Sequence, residues 1–214
     1  MFYRETPNLE TLRQGDILQG YLKISPKING PINKTNYLDF QYELNCEFPK
    51  FSVIITQCCS IKDQMICMAP LKKINSFLVN NPELIENPVP LNSPIKKIKI
   101  YHPKSLLKMP TSYHEKIIAE DEVLHHISLF FFEGHDELPQ YSVYIKEFAE
   151  THNTSAYYVD FREISHFKCP NIEKDHFSAD ILKSKVLELT IDGRNAFRSK
   201  LHEFFCRTPK EDLI

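Results

Sequence analysis

Glycine is scarce: the 214 residues hold five, Gly15, Gly20, Gly30, Gly134 and Gly193. A loop that cradles phosphate needs closely spaced glycines, because its backbone N–H groups must approach the anion. The nearest match runs Gly15-Asp16-Ile17-Leu18-Gln19-Gly20 and continues Tyr21-Leu22. Lysine and a hydroxyl residue would have to stand there to hold phosphate and magnesium. No Gly-x-Gly-x-x-Gly occurs. A nucleotide cofactor is therefore not expected, and nothing else in the sequence asks for a cofactor.

The six cysteines, Cys46, Cys58, Cys59, Cys67, Cys169 and Cys206, contain no Cys-x-x-Cys pair. The usual zinc-knuckle spacing is absent, so no metal is expected. His125-His126 with His135 and Asp136 invites a metal reading, but adjacent strand residues face opposite sides. No apolar run approaches the roughly 18–20 residues of a membrane span. Met1–Glu10 is polar and mixed in charge, unlike a signal peptide. A cytoplasmic protein with free thiols is the expectation.

What is present is an ordinary globular composition, 42% hydrophobic and 25% charged. The formal charge of −2 hides an uneven chain. Residues 1–110 hold 14 Lys and Arg against 9 Asp and Glu, and residues 111–214 hold 12 against 19. The first half is mildly basic and the second acidic.

Short strand candidates dominate. Asp16–Ile24 follows a Gly-Asp turn, and Phe51–Thr56 is β-branched and apolar. Met65–Ala69 is a similar run that Pro70 should end. Lys96–Tyr101 and Gln140–Lys146 alternate with a period of two, as half-exposed strands do. Ile127–Glu133 and Ala156–Phe161 complete the set. Residues 25–50 read as a loop or long hairpin, and residues 82–95, with Pro82, Pro88, Pro90 and Pro94, as a connector. Lys72–Asn81 could form a short helix, and Lys104–Glu120 is helical in its later part. Near the end, Ser178 can cap a helix bearing Leu182, Val186 and Leu189. Thr190 can cap a second, with Ile191, Phe197, Leu201, Phe204 and Phe205 on one face.

Six or seven short strands before two helices predict an α+β fold, a small curled β-barrel with inserted loops. Residues 1–177 would form the barrel-like core. Residues 178–214 would pack on it as a helical segment.

Three pieces in order resemble the MazF/PemK toxin group: Gly15-Asp16-Ile17, then Lys50-Phe51-Ser52-Val53-Ile54-Ile55, then Met68-Ala69-Pro70-Leu71-Lys72. That resemblance implies a small barrel that binds or cleaves RNA. In the group an arginine and a threonine carry cleavage. Lys50 and Lys72 stand at the matching positions, and lysine lacks the planar fork of arginine. A second set is similar to an uncharacterised bacterial group: Thr56-Gln57-Cys58-Cys59-Ser60, Val159-Asp160-Phe161-Arg162 and Phe204-Phe205-Cys206-Arg207. It implies fold and length rather than a reaction.

The candidate catalytic residues are thus Lys50, Lys72, Thr56 and Cys59. Lysines would stabilise phosphate, a hydroxyl or histidine would move protons, and a low-pKa thiol would act as nucleophile. Lys73, Lys97, Lys99 and Tyr101 are the candidates for binding a nucleic-acid backbone or a partner. A solvated strand face also explains the alternating lysines, and a small buried residue also explains Cys58 or Cys59. Asp160 and Arg162 are expected to form a structural salt bridge.

Three functions compete. The first is a bacterial binding or accessory module acting on nucleic acid or a protein partner, in a toxin–antitoxin or phage-defence setting. The second is a MazF-like endoribonuclease. The third is a cysteine-dependent enzyme. A homodimer or protein partner is expected, because the phenylalanine stripe of the last helix can bury itself in another chain. No membrane contact is expected.

Overall fold

A computed structural model describes residues 2–20, 23–28, 42–57, 65–79, 81–93, 128–146, 148–168 and 181–206. In chain order these give strands β1 (Ile17–Gln19), β2 (Lys23–Ile28), β3 (Tyr42–Glu47), β4 (Phe51–Ile54) and β5 (Met65–Lys73). Helix α1 (Pro82–Glu86) and a 3-10 turn (Val89–Asn92) follow. Then come β6 (Leu129–Phe132), β7 (Tyr141–Ile145), β8 (Glu150–Thr154) and β9 (Tyr157–Asp160). A second 3-10 turn (Phe161–Glu163), β10 (Ser165–Lys168), β11 (Lys185–Leu187) and helix α2 (Ile191–Cys206) complete the described chain. The fold is α+β, and among the described residues every strand pairing is antiparallel. Seven strands pair in the order β11-β1-β4-β5-β9-β6, with β10 joined to β5; β2–β3 and β7–β8 are separate hairpins.

The chain divides into two compact units. The first takes Thr6–Pro70 and Glu163–Glu188. Its sheet is entered through a turn at Gly15, whose φ of 87° suits a residue without a Cβ. The Gly15 N–H donates to Ile54 O at 2.8 Å, and the Arg13 N–H donates to Asp16 Oδ2 at 2.7 Å. β1 pairs β4 through Ile17 and Val53, and β4 pairs β5 through Val53 and Ala69. The core holds Leu12, Leu18, Ile54, Ile66, Met68 and Leu182.

The second unit takes Met1–Glu5, Leu71–Arg162 and Leu189–Ile214. β9 lies between β6 and the last residues of β5. Phe130 and Phe132, on one face of β6, meet Phe197 of α2 with ring centroids 5.0 and 6.1 Å apart. Leu129 and Phe131, on the other face, join a core with Ile74, Ile85, Leu91, Val143 and Ile145. Both faces of β6 are therefore buried, which is why LFFF is a continuous apolar run rather than an alternating one. α2 starts where expected: Thr190 Oγ1 accepts from the Gly193 N–H at 3.3 Å.

Several expectations need correction. Pro70 does not end its strand. It stands opposite Ser52 and falls between the β10 partners (Met65–Met68) and the β9 partners (Leu71–Lys73), where a residue with no N–H is tolerated. The start of the proposed 72–81 helix is instead the end of β5. Residues 82–95 are not bare connector, because Asn81 caps α1 by accepting from the Glu83 N–H at 2.9 Å. The helix expected through Leu182, Val186 and Leu189 reaches only residue 183. Lys185 and Leu187 then alternate into the interior as β11, so a period of two replaces the period near four. Ile191 and Phe205 of the α2 stripe are exposed. Residues 25–50 include the β2–β3 hairpin, the second of the two alternatives read there. Lys96–Tyr101, Lys104–Glu120 and Ser178 lie outside the described residues.

Candidate functional site

Three of the four expected catalytic residues, Lys50, Thr56 and Lys72, are among the described residues. Lys50 and Thr56 flank β4 at its two ends in the first unit. The Lys50 ammonium lies 5.6 Å from the centroid of its neighbour Phe51. The Thr56 hydroxyl accepts from the Cys67 N–H at 2.6 Å. That bond holds the chain beyond β4 against β5. Lys72 belongs to the second unit. Cys58, Cys59, Lys97, Lys99 and Tyr101 lie outside the described residues, as do His125 and His126.

The structure does assemble a basic and aromatic group at the end of β5. Lys72 stands opposite Tyr158, and Lys73 opposite Tyr157. Consecutive strand residues face opposite sides, so the two lysines straddle the strand end. The exposed Lys73 ammonium lies 5.2 Å from the ring centroid of Tyr141, a cation–π distance. Tyr141 is fixed from both sides: its hydroxyl accepts from the Ile74 N–H at 2.7 Å and donates to Ala156 O. Burial pushes this phenol far above its usual range, so it remains a donor.

At the end of β9, Asp160 and Arg162 form the expected salt bridge. Arg162 Nε donates to Oδ1 at 2.9 Å, and Nη2 donates to Oδ2 at 2.6 Å. The Arg162 N–H adds a bond to Oδ1 at 3.0 Å. Burial raises the Asp160 carboxyl, but the Arg162 hydrogen bonds and charge, with Lys72 beyond, more than reverse it. The carboxyl therefore titrates below 3.8.

A concavity of about 350 Å³ lies beside the start of α2. Phe2, Asn87, Val89, Glu133 and Asp192 line it. Its two carboxylates give it the opposite character to the Lys72–Lys73 end. His135 packs edge-on to Tyr3 with centroids 5.1 Å apart and accepts from the Glu137 N–H at 3.2 Å. Among the described residues, no group of three His, Cys, Asp or Glu side chains is arranged to hold a metal. No described helix is long and apolar enough to cross a membrane.

Sequence reasoning missed Tyr141 and Tyr158 as companions of the lysines. The alternation of Tyr141, Val143 and Ile145 marked the strand that carries Tyr141. Nothing in it marked the strand's neighbour. No protein-family model, curated protein or solved structure matches the chain.

Proposed function

We propose that the chain is a non-catalytic binding module for a single nucleic-acid strand, built on a small curled barrel and used as an accessory in a bacterial defence or toxin–antitoxin setting. One observation carries this reading: Lys72 and Lys73 straddle the end of β5 beside Tyr158 and Tyr141. Cations supply phosphate affinity and aromatic rings supply stacking surfaces, the combination that single-strand binders use. Binding is favoured over endoribonuclease cleavage because Thr56 lies at the opposite end of β4 from Lys50.

The test is fluorescence anisotropy with a labelled single-stranded RNA at two salt concentrations. Lys72→Ala with Lys73→Ala should weaken binding and flatten its salt slope by about one per lost phosphate contact. The RNA should emerge intact. No binding by the wild-type chain at low salt, or unchanged binding by the double variant, overturns the proposal.

A protein partner is the second reading. Phe77 is 99% exposed in the turn after β5, where a partner could cover it. Phe77→Ser should abolish that association and leave nucleic-acid binding alone.

A further inference from the structure

In the first unit, two carboxylates share one buried ammonium. Asp16, Lys185 and Glu188 all have fully buried side chains. Lys185 Nζ lies 2.8 Å from Asp16 Oδ2 and 2.8 Å from Glu188 Oε2. It also donates to the carbonyls of Asn8 and Thr11, at 2.8 and 3.1 Å. Glu188 Oε2 accepts in addition from the Asn8 N–H at 2.8 Å. These contacts hold the segment from Asn8 to Asp16 against β11 and the residue after it.

The charges do not close at Asp16. Arg13 also faces the cluster, from the Glu188 side. Its Nε is 4.0 Å from Glu188 Oε1, and its side chain is 36% exposed. β4, packed against β1, contributes Phe51, Ser52, Val53 and Ile54, none of which titrates. Asp16 Oδ2 accepts from Lys185 and from the Arg13 N–H, whereas Oδ1 is buried without a hydrogen-bond partner. An ionised carboxylate with one bare buried oxygen is costly. A proton on Oδ1 removes that charge and leaves both bonds at Oδ2 in place.

We propose that Asp16, Lys185 and Glu188 form a proton-binding latch, which takes up one proton at Asp16 Oδ1 and grips the Asn8–Asp16 segment more firmly as the solution is acidified. Burial is the largest cause acting on this carboxyl, ahead of the opposing pull of Lys185, and moves its titration from 3.8 to about 6. The folded chain therefore holds the proton more tightly than the unfolded chain. The stabilisation is complete below 3.8 and is lost as pH rises through about 6.

The experiment is a carbon-13 titration of the Asp16 carboxyl in the intact chain, paired with urea unfolding at pH 5 and pH 7.5. The expected midpoint is near 6. Asp16→Asn, neutral at every pH, should lose the part of the pH dependence that lies between those two conditions. A carboxyl midpoint at or below 3.8, or an identical pH dependence in both chains, overturns the latch. If Asp16→Asn does not fold, the wild-type titration decides alone.

Discussion

The side-chain amide of Asn92 forms a two-bond ring with the backbone of Phe131. Its Nδ2 donates to Phe131 O and its Oδ1 accepts from the Phe131 N–H, both at 2.7 Å. An amide side chain thus does for β6 what a neighbouring strand would do. β9 occupies the other edge of β6. Backbone groups in such a place must be satisfied by something. Asn92→Leu removes both partners, so it should cost about 2 kcal/mol in urea unfolding. Asn92→Gln, with the same amide on a longer arm, should recover only part of the loss.

The second prediction concerns Tyr141. Tyr141→Phe leaves the ring under Lys73 but strips the bonds to Ile74 N–H and Ala156 O. Stability should fall by about 1–3 kcal/mol, the cost of leaving buried backbone groups unmade. Nucleic-acid affinity should not change. A loss of affinity without a loss of stability would reverse the assignment of the hydroxyl and the ring.

The third lies in the aromatic core. Phe197 is fully buried and touches Phe130, Phe132 and Phe161. Phe197→Ala should cost about 3–5 kcal/mol by lost transfer energy and an unfilled cavity. Phe205→Ala, at a ring 63% exposed on the same helix, should be close to neutral. Thermal unfolding of the two variants side by side separates them.

The fourth is a titration opposite in sign to that of Asp16. Asp160 is held below 3.8 by Arg162, so its contribution to stability is present above that pH and fades as pH falls through its own lower value. Arg162→Ala removes the guanidinium and keeps the backbone N–H bond and the pull of Lys72. The Asp160 midpoint should then rise from its wild-type position in a carboxyl NMR titration. An unmoved midpoint would mean that the pair seen in the structure does not persist in solution.

How much of this was legible beforehand depended on what each signal measured. Apolar runs measured burial, so Phe51–Ile54 and Leu129–Phe132 were found as strands. The 140–146 alternation measured a half-buried ribbon and found β7. Asp160 and Arg162 were expected to pair on one side of a regular strand; they do pair, but Arg162 reaches back from the 3-10 turn after β9. β8 was invisible because ETHNT is polar throughout, and it pairs with β7 through backbone bonds that polarity does not reveal. β11 was misread because three apolar residues fit two periods over so short a span, and Lys185 is buried where no apolar pattern marks it. Its partner Asp16 lies near the other end of the chain, and no local pattern links them. The lysines were found by charge, but the tyrosines beside them arrive from other strands.

The second unit draws its first residues from the start of the chain and its helix from the end. Phe2 O accepts from the Thr190 hydroxyl across a separation of 188 residues, and Tyr3 bridges Leu189. During synthesis, Phe2 and Tyr3 therefore leave the ribosome long before the residues that seat them exist. At roughly 5–20 residues per second, the wait lasts on the order of ten seconds or more. Phe2 spends that interval without α2 to cover it, and the rings of β6, made later, spend a shorter one. A chaperone that shields aromatic segments should therefore raise the yield of folded chain.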